Sequence, residues 1–128
     1  LMDTRPAPNT VGPRSTPLLY DSPYTATVWG TNGNCTIPAT AIALALNVTA
    51  VGSSAGGYVT VYPPDASRPT ASNLNYVPGQ APTPNLVDAT LSASGQLSFY
   101  ANAGPVDLIA DISRGKPGAS GNLGFVGS

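Results

Sequence analysis

The sequence contains no histidine and no glutamate, a single cysteine, and five basic residues against six acidic ones, all of them aspartates. Each shortage removes a class of chemistry. Without imidazole no Ser-His or Cys-His pair can generate a nucleophile at neutral pH. Zinc finds no set of thiol and imidazole ligands, and the Asp-rich spacing of an EF-hand loop does not occur, so no metal and no cofactor is expected. Acid–base work would fall to Asp3, Asp21, Asp65, Asp88, Asp107 and Asp111. Nothing in their spacing marks two carboxylates facing one cleft, as glycoside hydrolysis requires, and the chain is expected not to be an enzyme. A net charge of −1 with no basic run leaves no footprint for a phosphate backbone, which argues against nucleic acid as a partner. Cys35 has no second cysteine to pair with, so it is either a buried thiol or an intermolecular link. No membrane span, secretory segment or lipidation box is visible, so membrane insertion is not expected. With Leu1 rather than Met at the start, the chain reads as a mature form or an excised fragment.

What is present is a neutral, turn-rich chain. Charged residues make up 9% of 128 positions, so Ser, Thr, Asn, Gly and Pro must cover the surface, a composition that points to an extracellular protein. The 14 glycines and 14 prolines punctuate short apolar segments instead of forming a repeat, and they read as turns between strands. The length suits one domain able to bury a core.

The longest apolar stretch without Gly, Pro or charge is AIALALNVTAV, residues 41–51. Ile42, Leu44, Leu46 and Val48 fall on alternate positions, which predicts a central strand with those four side chains buried on one face. Ala and Leu also favour helix, but the Asn-Val-Thr-Ala-Val end and the flanking Pro38 and Gly52 favour extended chain. Before it, five prolines in residues 1–23 predict a segment lying extended over the surface, with strand only at its start and around Leu18–Tyr20. YTATVW at 24–29 alternates as a first full strand, and Asn32-Gly33 marks a tight turn. After it, GSSAGG at 52–57 reads as the turn of a hairpin joining the central strand to YVTVY at 58–62. Further strands are predicted at 72–76, 86–91, 96–101 and 106–112. About seven short strands and no significant helix predict an all-β, antiparallel sandwich, Ig-like or jelly-roll-like, over residues 1–112, with a closed barrel as the other solution. Residues 113–128 read as a Gly/Ser-rich tail dotted with Leu123, Phe125 and Val126, a segment suited to self-association.

Three patterns touch on function. Gly52-Ser53-Ser54-Ala55-Gly56 fits G-x-S-x-G, but without a histidine or a following helix it reads as a turn. In a chain with so few charges, Asp111 is expected to pair with Arg5 or Arg68 as a structural ion pair. Tyr58 and Tyr62 share a strand face that Tyr76, Tyr100 and Trp29 can join; such rings stack on sugars while Asn73 and Asn75 bond hydroxyls, and the same tyrosines serve equally well as core.

Several phrases occur in a fixed order: Leu1-Met2-Asp3-Thr4-Arg5, Leu46-Asn47-Val48-Thr49-Ala50-Val51, Gly57-Tyr58-Val59-Thr60-Val61-Tyr62-Pro63, Arg68-Pro69 to Ser72-Asn73-Leu74-Asn75, Pro84-Asn85 and Ile109-Ala110-Asp111. Together they resemble a module common in secreted and surface proteins of actinobacteria and related bacteria, often in tandem or attached to extracellular peptidases and glycosidases. The resemblance implies an extracellular, non-catalytic β-domain and brings no firm ligand. Where such modules close with a Gly-aromatic pair, this chain has Ser113-Arg114-Gly115. The expectation is a structural or adhesive surface module that associates with copies of itself or with a cell-envelope component, by adding a strand or exchanging its tail. The alternative is a carbohydrate-binding accessory module that holds polysaccharide for a secreted enzyme.

Overall fold

Residues 41–51 form the strand that the rest of the molecule is built on. In the computed structural model, which describes residues 1–33, 35–70, 72–79, 81–82 and 84–117, they are flanked on both sides by partner strands. The described elements are β1 (Met2–Asp3), β2 (Tyr24–Thr27), β3 (Gly30–Asn32), β4 (Cys35–Ile37), β5 (Ala41–Val51), β6 (Gly57–Tyr62), β7 (Leu74–Tyr76), β8 (Asn85–Thr90), β9 (Gln96–Ala101) and β10 (Asp107–Pro117), and no helix occurs among them. Each of the seven expected segments contains a strand, and β1 lies at the start of the chain, where strand was also expected; the β3-β4 hairpin, turning at the expected Asn32-Gly33, is additional, its strands too short to show a period in the sequence.

The strands make two four-stranded antiparallel sheets, β1-β10-β5-β8 and β2-β9-β6-β7, with β3-β4 as a separate two-stranded ribbon. Apart from that ribbon, every step along the chain crosses from one sheet to the other except β6 to β7, which is the strand order of a jelly roll. The expected hairpin between the central strand and 58–62 is therefore corrected. β5 and β6 lie in opposite sheets, and Gly52–Gly57 arches between them. The physical reason is that both strands carry an aliphatic face, and those faces bury more by packing on each other across the sandwich than side by side.

Leu44, Leu46 and Val48 point into the core with Val59, Val61, Leu97, Phe99 and Leu108, all buried. Ile42 does not join them and stays 45% exposed, contrary to the alternation. Opposite it, β10 advances one residue, Lys116 to Pro117, while β5 advances two, Ala43 to Ala41. This bulge reverses the phase of the strand end, turning Ala41 inward and Ile42 out.

β10 also moves the expected domain boundary. Residues 113–117, read from composition as the start of a tail, continue the strand and pair with Ala41–Ala45 after a second irregularity at Ile112/Arg114. Leu123, Phe125 and Val126 lie outside the described residues.

The proline-rich start runs along the surface and is tied down at two places. Leu18 exchanges backbone hydrogen bonds with Val106, and the Arg14 guanidinium lies 5.1 Å from the centroid of the Tyr24 ring while donating to the Thr16 and Pro17 carbonyls. At the very start, the fully buried Thr4 closes the first sheet: its hydroxyl donates to Asp107 at 2.8 Å and accepts from the Leu108 N–H at 3.0 Å.

Candidate functional site: the outer face of the β2-β9-β6-β7 sheet

Alternation along β6 sends Val59 and Val61 into the core and leaves Tyr58, Thr60 and Tyr62 on the outer face; along β9 it buries Leu97 and Phe99 and turns Gln96, Ser98 and Tyr100 outward. The register sets Thr60 beside Tyr100, Tyr62 beside Ser98, Tyr58 beside Asn75 and Thr25 beside Ser98, whose hydroxyls are 2.7 Å apart. This face is built from phenols, hydroxyls and amides, with no carboxylate on the strands themselves; Thr60 and Ser98 at its middle are buried, and Thr25, Thr27 and Asn75 are exposed.

Two loops fold over it. The loop after β6 lays Arg68 across Tyr100, with the guanidinium carbon 3.7 Å from the ring centroid, a cation–π contact that leaves Tyr100 only 5% exposed. From the other side comes a turn closed by the Ser22 N–H bonding to the Leu19 carbonyl and anchored by the Asp21 N–H on the Ala101 carbonyl. It carries Tyr20, which is 67% exposed, and Asp21, whose φ of 53° lies in the left-handed region that non-glycine residues seldom enter. The Tyr58 and Tyr100 rings are 6.3 Å apart and tilted by 50°. Burial raises the Tyr100 hydroxyl above its ordinary range; the Arg68 charge opposes this, while Asp21, Tyr58 and Tyr20 add to it.

The Arg68 Nη1–Asp21 Oδ1 separation is 3.9 Å, too long for a hydrogen bond. Both groups are well exposed, so the guanidinium keeps donors and the carboxylate keeps acceptors for something else. The patch thus offers aromatic surface, one cationic donor and one anionic acceptor whose charges cancel.

The expected site residues divide accordingly. Tyr58, Tyr62 and Asn75 share this face. Tyr76 does not: it points inward, buried, with its hydroxyl donating to the Ala103 carbonyl, and burial raises its hydroxyl above the usual range against that bond. Asn73 is occupied in the backbone, its side-chain oxygen accepting the Val61 N–H at 2.7 Å and its own N–H donating to the Val59 carbonyl at 2.9 Å. Trp29 packs on Gly95, away from the tyrosines, and donates to the Ala41 carbonyl at 3.0 Å.

The expected ion pair is also corrected. Arg5 closes a fork on Asp3, two residues away, with contacts of 3.1 and 2.8 Å, and Arg68 is drawn to Tyr100 and Asp21 on the second sheet. Asp111 pairs in register with Asn47 on the outside of the first sheet, where it is exposed, and makes no ion pair among the described residues. In the G-x-S-x-G stretch, Ser53 donates to the Ala55 carbonyl and accepts the Ala55 N–H, which makes it a turn residue.

Tyr20 and Asp21 are contributors that sequence reasoning did not place here, and Arg68 was assigned the wrong partner. All three sit in loops without periodicity, and only the tertiary fold brings them together. The cavities beside β7 (about 140 Å³) and between β1 and Gly33 (about 180 Å³) fall below the roughly 300–1,000 Å³ of small-molecule pockets. The chain matches no family model, no curated protein and no solved structure.

Proposed function

We propose that the protein is a non-catalytic, extracellular adhesive module that holds carbohydrate of the cell envelope or of a polysaccharide through the outer face of the β2-β9-β6-β7 sheet. The observation that carries this reading is the convergence of Tyr58, Arg68 and Asp21 at Tyr100, with the exposed Tyr20 next to Asp21 in the chain, on a face whose exposed polar side chains include Thr25, Thr27 and Asn75. Phenol rings match the apolar faces of sugars, and flanking polar groups match their hydroxyls. The sparsely charged, Ser/Thr/Asn-rich composition and the resemblance to secreted actinobacterial surface modules support the extracellular setting.

The test is retention on a polysaccharide panel, by pull-down, of the wild type and of Tyr58→Ala. Retention on at least one polysaccharide, weakened in the variant, is expected. A wild type retained on none overturns the reading.

Self-association is a second reading, favoured by β8. Among the described strands it pairs with β5 alone, at the edge of its sheet, and it carries Leu86, 63% exposed, an edge position of the kind that templates strand addition. Light scattering over a concentration series tests it. Assembly that Leu86→Lys abolishes would support it, and a monomer at every concentration would refute it.

A further inference from the structure

We infer that the ligand of the Tyr20–Arg68 patch is a neutral glycan, two neighbouring hydroxyls of which are held between the Arg68 guanidinium and the Asp21 carboxylate, while Tyr20 and Tyr58 flank the ring. This rests on the carbohydrate reading and narrows it to a chemical class and a set of contacts. The two charges are 3.9 Å apart, an ion pair without a direct hydrogen bond, and with side-chain exposures of 41% for Arg68 and 63% for Asp21 both are within reach of a ligand. One hydroxyl donating to the carboxylate and its neighbour accepting from the guanidinium would bridge the pair without introducing a charge.

An acidic sugar fits less well. Its carboxylate would gain Arg68 but face Asp21 at close range, and no second cation is described on this face to offset that repulsion. A cationic sugar meets the mirror problem at Arg68. Arg68 is also held in place before any ligand arrives, since Tyr100 supports one face of its guanidinium at 3.7 Å; the planar fork is therefore preoriented in a way an ammonium would not be. The left-handed backbone at Asp21, φ 53°, is the second preset feature, aiming that side chain from a turn tied to Ala101.

Affinity gel electrophoresis with neutral polysaccharides (glucan, mannan, galactan) and uronic-acid polysaccharides (alginate, pectate) tests the assignment. Expected are retardation by at least one neutral polymer, little change between low and high salt, and a loss of tenfold or more in Tyr20→Ala and in Arg68→Lys. Asp21→Asn, which keeps a residue tolerant of the left-handed turn, should weaken neutral binding several-fold. Binding to uronic-acid polymers alone, weakened by salt and strengthened by Asp21→Asn, would overturn the neutral-ligand assignment and leave the carbohydrate reading standing. Neutral binding unchanged in both Tyr20→Ala and Arg68→Lys would move the site elsewhere. Binding to no polymer removes this inference together with the reading beneath it. Because Tyr20 is 67% exposed, its truncation removes no core packing, and unchanged melting of the variant distinguishes lost contact from lost fold.

Discussion

The indole of Trp29 lies so close over Gly95 that a Cβ at the glycine would come within 2.0 Å of the ring. The Val28 and Trp29 N–H groups both donate to the Gly95 carbonyl, at 2.8 and 3.4 Å, and the indole N–H reaches the Ala41 carbonyl at 3.0 Å. One glycine thus joins the turn before β9 to the end of β2 and the start of β5. Its φ of 73° adds a second reason for the missing side chain. Gly95→Ala combines a left-handed backbone, costing about 1 kcal/mol, with displacement of the indole, and a total loss of about 2–4 kcal/mol in urea denaturation is expected. A change below about 0.5 kcal/mol, the range of an ordinary surface substitution, would contradict this packing.

A pH dependence follows from Asp3. Burial pushes its carboxyl up, but the Arg5 side chain, the Arg5 backbone N–H and the guanidinium charge together bring it below its ordinary 3.8. A carboxyl held lower in the folded chain than in the unfolded one stabilises the fold fully above the unfolded value and loses that contribution as pH falls through the folded value. Asp3→Asn should therefore melt below the wild type at pH 7, and the gap should close as pH drops below 3.8. A gap that is constant from pH 7 to pH 2.5 would show that the fork contributes nothing through its charge.

Tyr76 separates structure from binding. Removing its hydroxyl leaves the Ala103 carbonyl without that donor, so Tyr76→Phe should cost about 1 kcal/mol in denaturation and leave polysaccharide retention unchanged. Reduced retention at unchanged stability would place Tyr76 in the contact surface after all.

The extent of β10 is open to truncation. A chain ending at Ile112 loses the pairing of Arg114–Pro117 with Ala41–Ala45, whereas one ending at Pro117 keeps every described strand. The shorter chain should melt lower or fail to fold, and identical melting curves would mean that those pairs add no stability. For the same reason, a tail-exchange test of self-association needs the cut after Pro117, because a cut at Ser113 removes part of a sheet.

The alternation in YVTVY was enough to separate Val59 and Val61 from Tyr58 and Tyr62, because period two is a local property of extended chain, but which set faces the core is decided by the opposing sheet, which buries the valines. Ile42 broke that logic, since a bulge is set by the partner strand, and Lys116-Pro117 lies more than seventy residues away. GSSAGG could not reveal whether its flanking strands would pair or stack, as both outcomes use the same turn residues. Ser113-Arg114-Gly115 looked like tail because nothing apolar marks it; its strand character comes from the neighbouring β5. At the candidate site, Asn75 and the two β6 tyrosines were legible from the strand pattern, whereas Tyr20, Asp21 and Arg68 meet only through loop geometry.

In the β1-β10-β5-β8 sheet, Met2 sits beside Ala110 and Asn47 beside Asp111, so the middle position is filled by the last described strand. Chain synthesised only as far as residue 101 holds every strand of one sheet and leaves an open slot between β1 and β5 in the other. Nascent chain of this kind has to wait, apolar faces uncovered, for residues 107–117, which makes their late arrival the point at which newly made molecules are most prone to stick to one another.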